Sequence, residues 1–264
     1  MTETEVKAEI QAIQPEPFDK IGRPLRRDDW RTLGESTERL LCEAIDAGDA
    51  ERAKALVRYA LNERKPVHDL SADWVWDSLT RIAQRWGEDA VGEMLRDVQS
   101  TWMLRRTWKA FLKMTVEERA QLCAEMMRSH AFTAEPGANG VTVEEDDEKY
   151  TIRLDPCGSG GRMRRGDPAD GSPSRLGPPY EFGVTAQAHD WSWGQENVPY
   201  YCAHCAVNEI LPMEWGGHPL WVTAFDPDAS RPCAWLLYKK AEAIPVHFYE
   251  RVGRQKPPAG EGQY

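Results

Sequence analysis

The residues of this chain best suited to chemistry are sulfur-bearing and gather late. Of six cysteines, Cys157, Cys202, Cys205 and Cys233 fall in the last 110 or so residues. Cys202 and Cys205 sit in the run Tyr-Tyr-Cys-Ala-His-Cys, whose two-residue gap lets both sulfurs of a tight turn face one ion. Thiolates suit zinc or an iron–sulfur cluster, and a mixed set of thiolate and imidazole favours zinc. His189 and His204 compete for a position, but His204 lies between the paired cysteines and is expected to point elsewhere. The predicted metal ligands are therefore drawn from Cys157, Cys202, Cys205, Cys233 and His189. Zinc is the expected ion, with an iron–sulfur cluster as the alternative. Cys42 and Cys123 lie in helical sequence and read as small core residues.

Two further groups of residues accompany the cysteines. Around Cys157 the run Asp155-Pro-Cys-Gly-Ser-Gly-Gly161-Arg-Met-Arg-Arg165 places three glycines beside three arginines. Successive glycines can aim backbone amides into one concavity, so Arg162, Arg164 or Arg165 is expected to hold a carboxylate or phosphate. The run lacks the Lys-Ser/Thr ending of a nucleotide-phosphate loop, and no helical pattern follows it. The second group is His189-Asp190-Trp191-Ser192-Trp193, where a histidine beside acids and indoles can be a ligand or a general base. Trp191 and Trp193 are candidates for lining a substrate cavity, together with some of Tyr200, Tyr201, Trp215, Trp221 and Trp235, although most of these rings are expected in the core. Glu209 and Glu214 follow the cysteine pair at distances that could bring a carboxylate near the metal. His189 and Glu214 are the predicted catalytic acid–base residues. The zinc-protease, zinc-deaminase and Gly-x-Ser-x-Gly patterns are absent.

Composition narrows the setting. A chain of 264 residues can bury a sizeable core, and 41% hydrophobic with 29% charged residues is ordinary for a globular protein. No apolar run approaches a membrane span, and the start lacks a basic and apolar leader, so a cytoplasmic location without membrane association is expected. Reduced thiols are the norm there, which favours ligands over disulfides. The formal charge of −10 argues against nucleic acid as the partner. A small anionic molecule is the expected partner, and self-association is left open.

These residues need elements to position them. Residues 1–35, with Pro15, Pro17 and Pro24, read as an arm. Residues 36–135 read as about five helices. Leu40, Leu41, Ala44 and Ile45 mark the first, and Gly48 stops it. Ala53, Leu56, Val57, Ala60 and Leu61 mark the second. Ser71 is expected to cap a third carrying Val75, Leu79, Ile82 and Trp86. Val91, Leu95, Val98 and Trp102 mark a fourth, and Thr115 with Glu118 makes a capping box for a fifth. Residues 136–264 hold 15 of the 20 glycines and 14 of the 18 prolines, which predicts loops and short strands. Val141 and Val143, then Tyr150, Ile152 and Leu154, alternate as a hairpin leading to Cys157. Further strands are predicted at Leu220–Phe225 and Ala234–Tyr238, and Gly166–Pro179 reads as a surface loop. The predicted fold is α+β: an N-terminal helical layer, then a loop-rich antiparallel β region carrying the Cys/His site.

Helices leading through Trp86-Gly87-Glu-Asp-Ala90 and a tryptophan-rich helix, then a hairpin ending at Cys157 and a downstream Cys-x-x-Cys, make a recognisable order. Over roughly Ser71 to Cys157 it resembles the 4-vinyl reductase domain and L-2-aminothiazoline-4-carboxylate hydrolase-like family. The resemblance implies helices with an antiparallel sheet, a small-molecule cavity, and cysteine or metal chemistry at its rim. The loop from Asp155 to Arg165 and the insertion after it depart from that family. The expected function is that of a zinc-dependent lyase or hydrolase acting on a small anionic substrate. The alternatives are a small-molecule sensor with a structural zinc, or an iron–sulfur redox protein.

Overall fold

The computed structural model describes residues 15–130, 140–167 and 170–264. The first fourteen residues of the predicted arm and the boundary predicted at 135/136 lie outside the described residues. The chain forms two compact units. One comprises Met1–Asp69, Phe132–Ala138 and Pro168–Gly171; the other comprises Leu70–Ala131, Asn139–Asp167 and Ser172–Tyr264.

In the first unit β1 (Pro15–Glu16) pairs antiparallel with β2 (Leu25–Arg26). Helix α1 (Thr37–Asp46) starts where the Ser36 side chain accepts from the Arg39 N–H, and ends before Gly48, whose φ of 73° suits only glycine. Leu40, Ala44 and Leu56 form its small core. Arg26 is buried there, its guanidinium donating to Asp28, to the Glu35 carbonyl and to Thr37 Oγ1.

Helix α2 (Ala50–Trp86) does not break at Ser71 as predicted. Its 37 residues contain no glycine and it carries Pro66 internally, so the loss of one backbone donor is outweighed by the strong helix formers around it. Gly87, at φ 88°, ends it, and α3 (Glu88–Val98) follows at once. A π turn at Gln99–Met103 joins α3 to α4 (Leu104–Phe111). Helix α5 (Val116–Ser129) opens on the predicted capping box, with the Glu118 N–H donating to Thr115 Oγ1 at 3.2 Å and the Thr115 N–H to Glu118 Oε2 at 2.8 Å.

The second unit contains a four-stranded antiparallel sheet in the order β3 (Val141–Glu145), β4 (Lys149–Leu154), β6 (Cys233–Tyr238), β5 (Val222–Ala224). Both faces of β6 are covered. Trp235 and Leu237 join Ile152, Leu154 and Trp221 in a core shared with α4 and α5, while Tyr238 and Val222 join a larger core with Trp76, Leu79 and Val91. The α+β prediction is thus met.

Three helices were missed in the half read as loops and strands. A short α6 (Gly160–Arg165) follows Cys157, and α7 (His204–Gly216) follows the cysteine pair; a last turn, α8 (His247–Glu250), lies near the end. Helix α7 hides from periodicity because eight of its residues, Ala206 to Met213, are all buried, and a helix apolar on every side shows no stripe. The stretch expected as a surface loop is tied inward at Arg175, which is 3% exposed and pairs with Asp73. No described helix is long and apolar enough to cross a membrane.

Candidate metal centre and its cavity

Sheet register begins the site. Leu154, last in β4, pairs with Cys233, first in β6, and the chain reaches Cys157 three residues beyond Leu154. One end of the sheet therefore carries two cysteines. The other two lie at the entry to α7, Cys202 two residues before it and Cys205 in its first turn, where the Cys205 N–H donates to the Cys202 carbonyl at 3.0 Å. All four line a single cavity of about 360 Å3.

Glycine makes the approach possible. A Cβ on Gly160 would stand 2.6 Å from Cys202 Sγ, and one on Gly161 3.0 Å from Cys157 Cβ. The glycines read as an anion cradle instead let α6 pack directly against the cysteines. Beside them the Ser159 and Tyr201 hydroxyls share a hydrogen bond of 2.6 Å. Burial, countered by that bond, pushes the Tyr201 phenol up to about 12.

The six cysteines are all free. Burial pushes the Cys202, Cys205 and Cys233 thiols up, and neighbouring thiols push further in the same direction. Cys205 feels Cys157, Cys202 and Cys233 together, so the four form one electrostatic group. A cation that binds there must displace protons and supply the charge that water does not. Four sulfurs around one zinc sit about 3.8 Å apart, given Zn–S near 2.3 Å. Among the described residues no three His, Cys, Asp or Glu side chains are gathered to hold one ion. The four cysteines line one common space.

Arg164 supplies fixed positive charge at this wall. It is 2% exposed, donates to the Asp226 carbonyl at 2.7 Å, and lies over the Phe225 ring at 4.9 Å. Its Nη2 stands 3.9 Å from Cys233 Sγ, and its buried Nε has no partner among the described residues. The guanidinium lowers the cost of ionising both Cys202 and Cys233.

The other expected site residues are placed as follows. Arg162 is buried against Asp167 at 3.0 Å and donates to the Gly158 carbonyl. Arg165 pairs with Asp155 and with the Ala229 and Ser230 carbonyls. The three arginines expected to hold an anion are thus committed to protein partners, pinning α6 and the loop after β5. His204 points its Nδ1 at the Tyr201 carbonyl, 2.5 Å away, with Nε2 3.5 Å from Cys205 Sγ. Burial lowers its pKa against the opposing pull of the Tyr201 carbonyl.

His189 stands outside the cysteine cavity. It bonds Glu88 at 3.0 Å, stacks on Trp191 with centroids 4.5 Å apart, and lines a separate cavity of about 330 Å3. Glu88 also accepts from the Tyr200 hydroxyl at 2.8 Å and from the Ala186 N–H at 2.6 Å. Burial pushes the Glu88 carboxyl up, but these donors together hold it below its ordinary value. Glu214 is taken up by Arg96 and Arg254, away from the thiols. Trp193, unlike Trp191, does line the cysteine cavity. Its Nε1–H donates to Glu209 at 2.9 Å, and Glu209, fully buried, also accepts from the Thr223 N–H at 2.6 Å and from Arg251 at 2.8 Å. Burial raises the Glu209 pKa against the pull of Arg251. Glu209 and Arg251 together close the outer edge of β5, since Arg251 also donates to the Thr223 carbonyl.

Sequence reasoning passed over two cavity residues, Asn208 and Thr223, and placed a third, Trp221, among rings expected mostly in the core. The signals were spacings: Asn208 lies one helical turn after Cys205, and Trp221 and Thr223 flank Val222 with period two. No protein-family model, curated protein or solved structure matches this chain.

Proposed function

We propose that the chain is an iron–sulfur protein in which Cys157, Cys202, Cys205 and Cys233 each bind one iron of a four-iron cluster. The cluster serves electron transfer with a small molecule held in the remainder of the same cavity. The observation that carries this reading is the convergence of four free cysteines, from three separate chain segments, on one cavity. They stand close enough to act on one another's charge. Four thiolates are the usual ligand set of a four-iron cluster.

The surroundings fit such a group. Arg164, with an unpartnered buried Nε, offsets negative charge beside Cys233. Cys202 and Cys205 flank the N-terminus of the 13-residue helix α7, whose dipole favours negative charge. Trp193, Phe225 and Trp235 wall the space with apolar rings that exclude water. Bound there, a cluster supplies one-electron transfer at a potential set by its charge, its sulfur hydrogen bonds and its exposure. With every iron holding a thiolate, no position is left for a metal-bound water, which favours electron transfer over lyase or hydrolytic chemistry.

The test is purification without added metal under anaerobic conditions, followed by iron, acid-labile sulfide and zinc analysis with visible spectroscopy. A brown protein with about four irons and four sulfides per chain is expected. One zinc in a colourless, sulfide-free protein would replace this reading with the zinc centre.

A further inference from the structure

Three polar atoms in the cysteine cavity have no explanation in the fold. Asn208 Oδ1, Trp221 Nε1 and Thr223 Oγ1 are buried, and none has a hydrogen-bond partner among the described residues. The three residues are 8%, 4% and 2% exposed, and all line the cavity that the cysteines line. Buried polar groups are rarely left without partners, so their coincidence in one cavity wall points to what the cavity takes.

The elements aim them together. Thr223 pairs with Trp235 in the β5–β6 ladder, so both stand on one face of the sheet, and Cys233 and Trp221, each two residues away along the chain, share that face. Trp221 stacks on Trp235 with centroids 4.9 Å apart, which fixes the direction of its indole N–H. Asn208 lies three residues after Cys205 on α7, hence on the same side of the helix. The polar atoms therefore border the same space as the cysteines.

Their chemistry is selective. The Trp221 indole offers only a donor, Asn208 presents an amide acceptor, and the Thr223 hydroxyl serves either way. Among the described residues Arg106 is the one cavity-lining side chain with a fixed charge, and it is exposed; the buried Arg164 stands behind Cys233, does not line the cavity, and donates to the Asp226 and Pro227 carbonyls. Aromatic and methionine side chains make up much of the remaining wall.

We propose that this cavity binds an uncharged small molecule with an apolar body and a carbonyl next to an N–H or O–H, as in a lactam or primary amide. The carbonyl accepts from Trp221 Nε1 and the adjacent donor meets Asn208 and Thr223. This deepens the preceding reading by naming the class of molecule set beside the cysteine centre, and it rests on that reading only for the electron transfer.

The experiment is calorimetric titration of the anaerobic full-length protein with 2-pyridone, benzoate and toluene, alongside Trp221→Phe, Asn208→Leu and Thr223→Val. The parent is expected to bind 2-pyridone about tenfold or more tightly than benzoate or toluene, tenfold being about 1.4 kcal/mol. Each variant should lose about tenfold for 2-pyridone and nothing for toluene, and should melt unliganded at the parent temperature or above, because an unpartnered buried polar atom has been removed. Equal binding of the three probes by the parent, or no binding, overturns the proposal. So does parent-like 2-pyridone binding in all three variants, or a lowered melting temperature in all three, which would make these groups structural. Iron and sulfide are measured on the same samples. Failure of the probes at full iron content removes the ligand alone, whereas selective 2-pyridone binding by iron-free protein sustains the ligand and removes the cluster.

Discussion

Arg164→Met tests the cysteine centre most directly, because it removes one positive charge beside the sulfurs and keeps the apolar stem over Phe225. Arg164 Nη2 is 3.9 Å from Cys233 Sγ. One unit charge at that distance is worth about 4 kcal/mol at an effective dielectric of 20, and about 2 kcal/mol at twice the distance, nearer the middle of a cluster. For one electron, 1.4 kcal/mol corresponds to ~60 mV, so the expected shift is on the order of 100 mV. The sign follows from the charge: reduction adds an electron, the guanidinium favours the reduced form, and its loss lowers the potential. Arg164→Lys, which keeps a charge near the same place, should lie between parent and Met. The assay is a redox titration followed by electron paramagnetic resonance, with iron content determined on each sample. An unchanged potential in Arg164→Met at full iron occupancy would refute the assignment of this arginine as the counter-charge. The stability cost is separate, since the Asp226 and Pro227 carbonyls lose their donor. That loss should appear as about 1–3 kcal/mol in denaturant unfolding.

Other changes bear on the same architecture. Serine at Cys157, Cys202, Cys205 or Cys233 should each abolish or deplete iron, while serine at the exposed Cys42 should leave iron content at the parent level, as read by elemental analysis. Cys123, whose thiol burial pushes up to about 12, is a core residue, so Cys123→Ser should cost about 1–3 kcal/mol of stability without loss of iron. Because the Glu88 carboxyl is held below its ordinary value of 4.5, its contribution is complete above that pH and is lost as the pH falls through its lowered pKa. Glu88→Gln should therefore destabilise at neutral pH and flatten the acid limb of a stability-versus-pH curve, and parallel curves would count against the Glu88–Tyr200–His189 cluster. Glu209→Ala strands Arg251 and the Trp193 and Thr223 N–H groups at once and is expected to cost about 3–5 kcal/mol in urea unfolding.

How far the sequence foretold this site depended on the kind of signal. Local signals were legible: the capping box at Thr115 and Glu118, the period-two hairpin of Val141 to Leu154, and the stop at Gly48 each rest on a few neighbouring residues. Signals set by distant packing were not. Eight consecutive residues of α7, Ala206 to Met213, are buried, so their spacing shows no single apolar stripe to set the helix apart from strand or loop. Arg164 and Arg165 of α6 looked free because the carbonyls that hold them, those of Asp226, Pro227, Ala229 and Ser230, lie more than sixty residues away. His189 looked like a neighbour of the cysteines because it precedes Cys202 by thirteen residues, yet it faces Glu88 of α3. Sequence proximity served for the cysteine pair and misled for the histidine.

One feature of the sheet decides why the cysteines and the unpartnered polar groups share a cavity. Cys233, Trp235 and Thr223 stand on one face because the β5–β6 register pairs Thr223 with Trp235, while Val222, Leu236 and Tyr238 are held on the other. A slip of one residue in that register would carry Thr223 and Trp221 into the opposite core and bring Val222 to the cavity. Slippage is opposed at the outer edge of β5, where Glu209 accepts the Thr223 N–H and Arg251 donates to the Thr223 carbonyl. Glu209 lies one turn after Cys205 on α7, so the helix that presents two of the cysteines also fixes the strand that presents Thr223. The buried Glu209–Arg251 pair thus acts as a register pin. Its value lies less in net stability, which buried ion pairs seldom add, than in holding the polar wall in line with the cysteines.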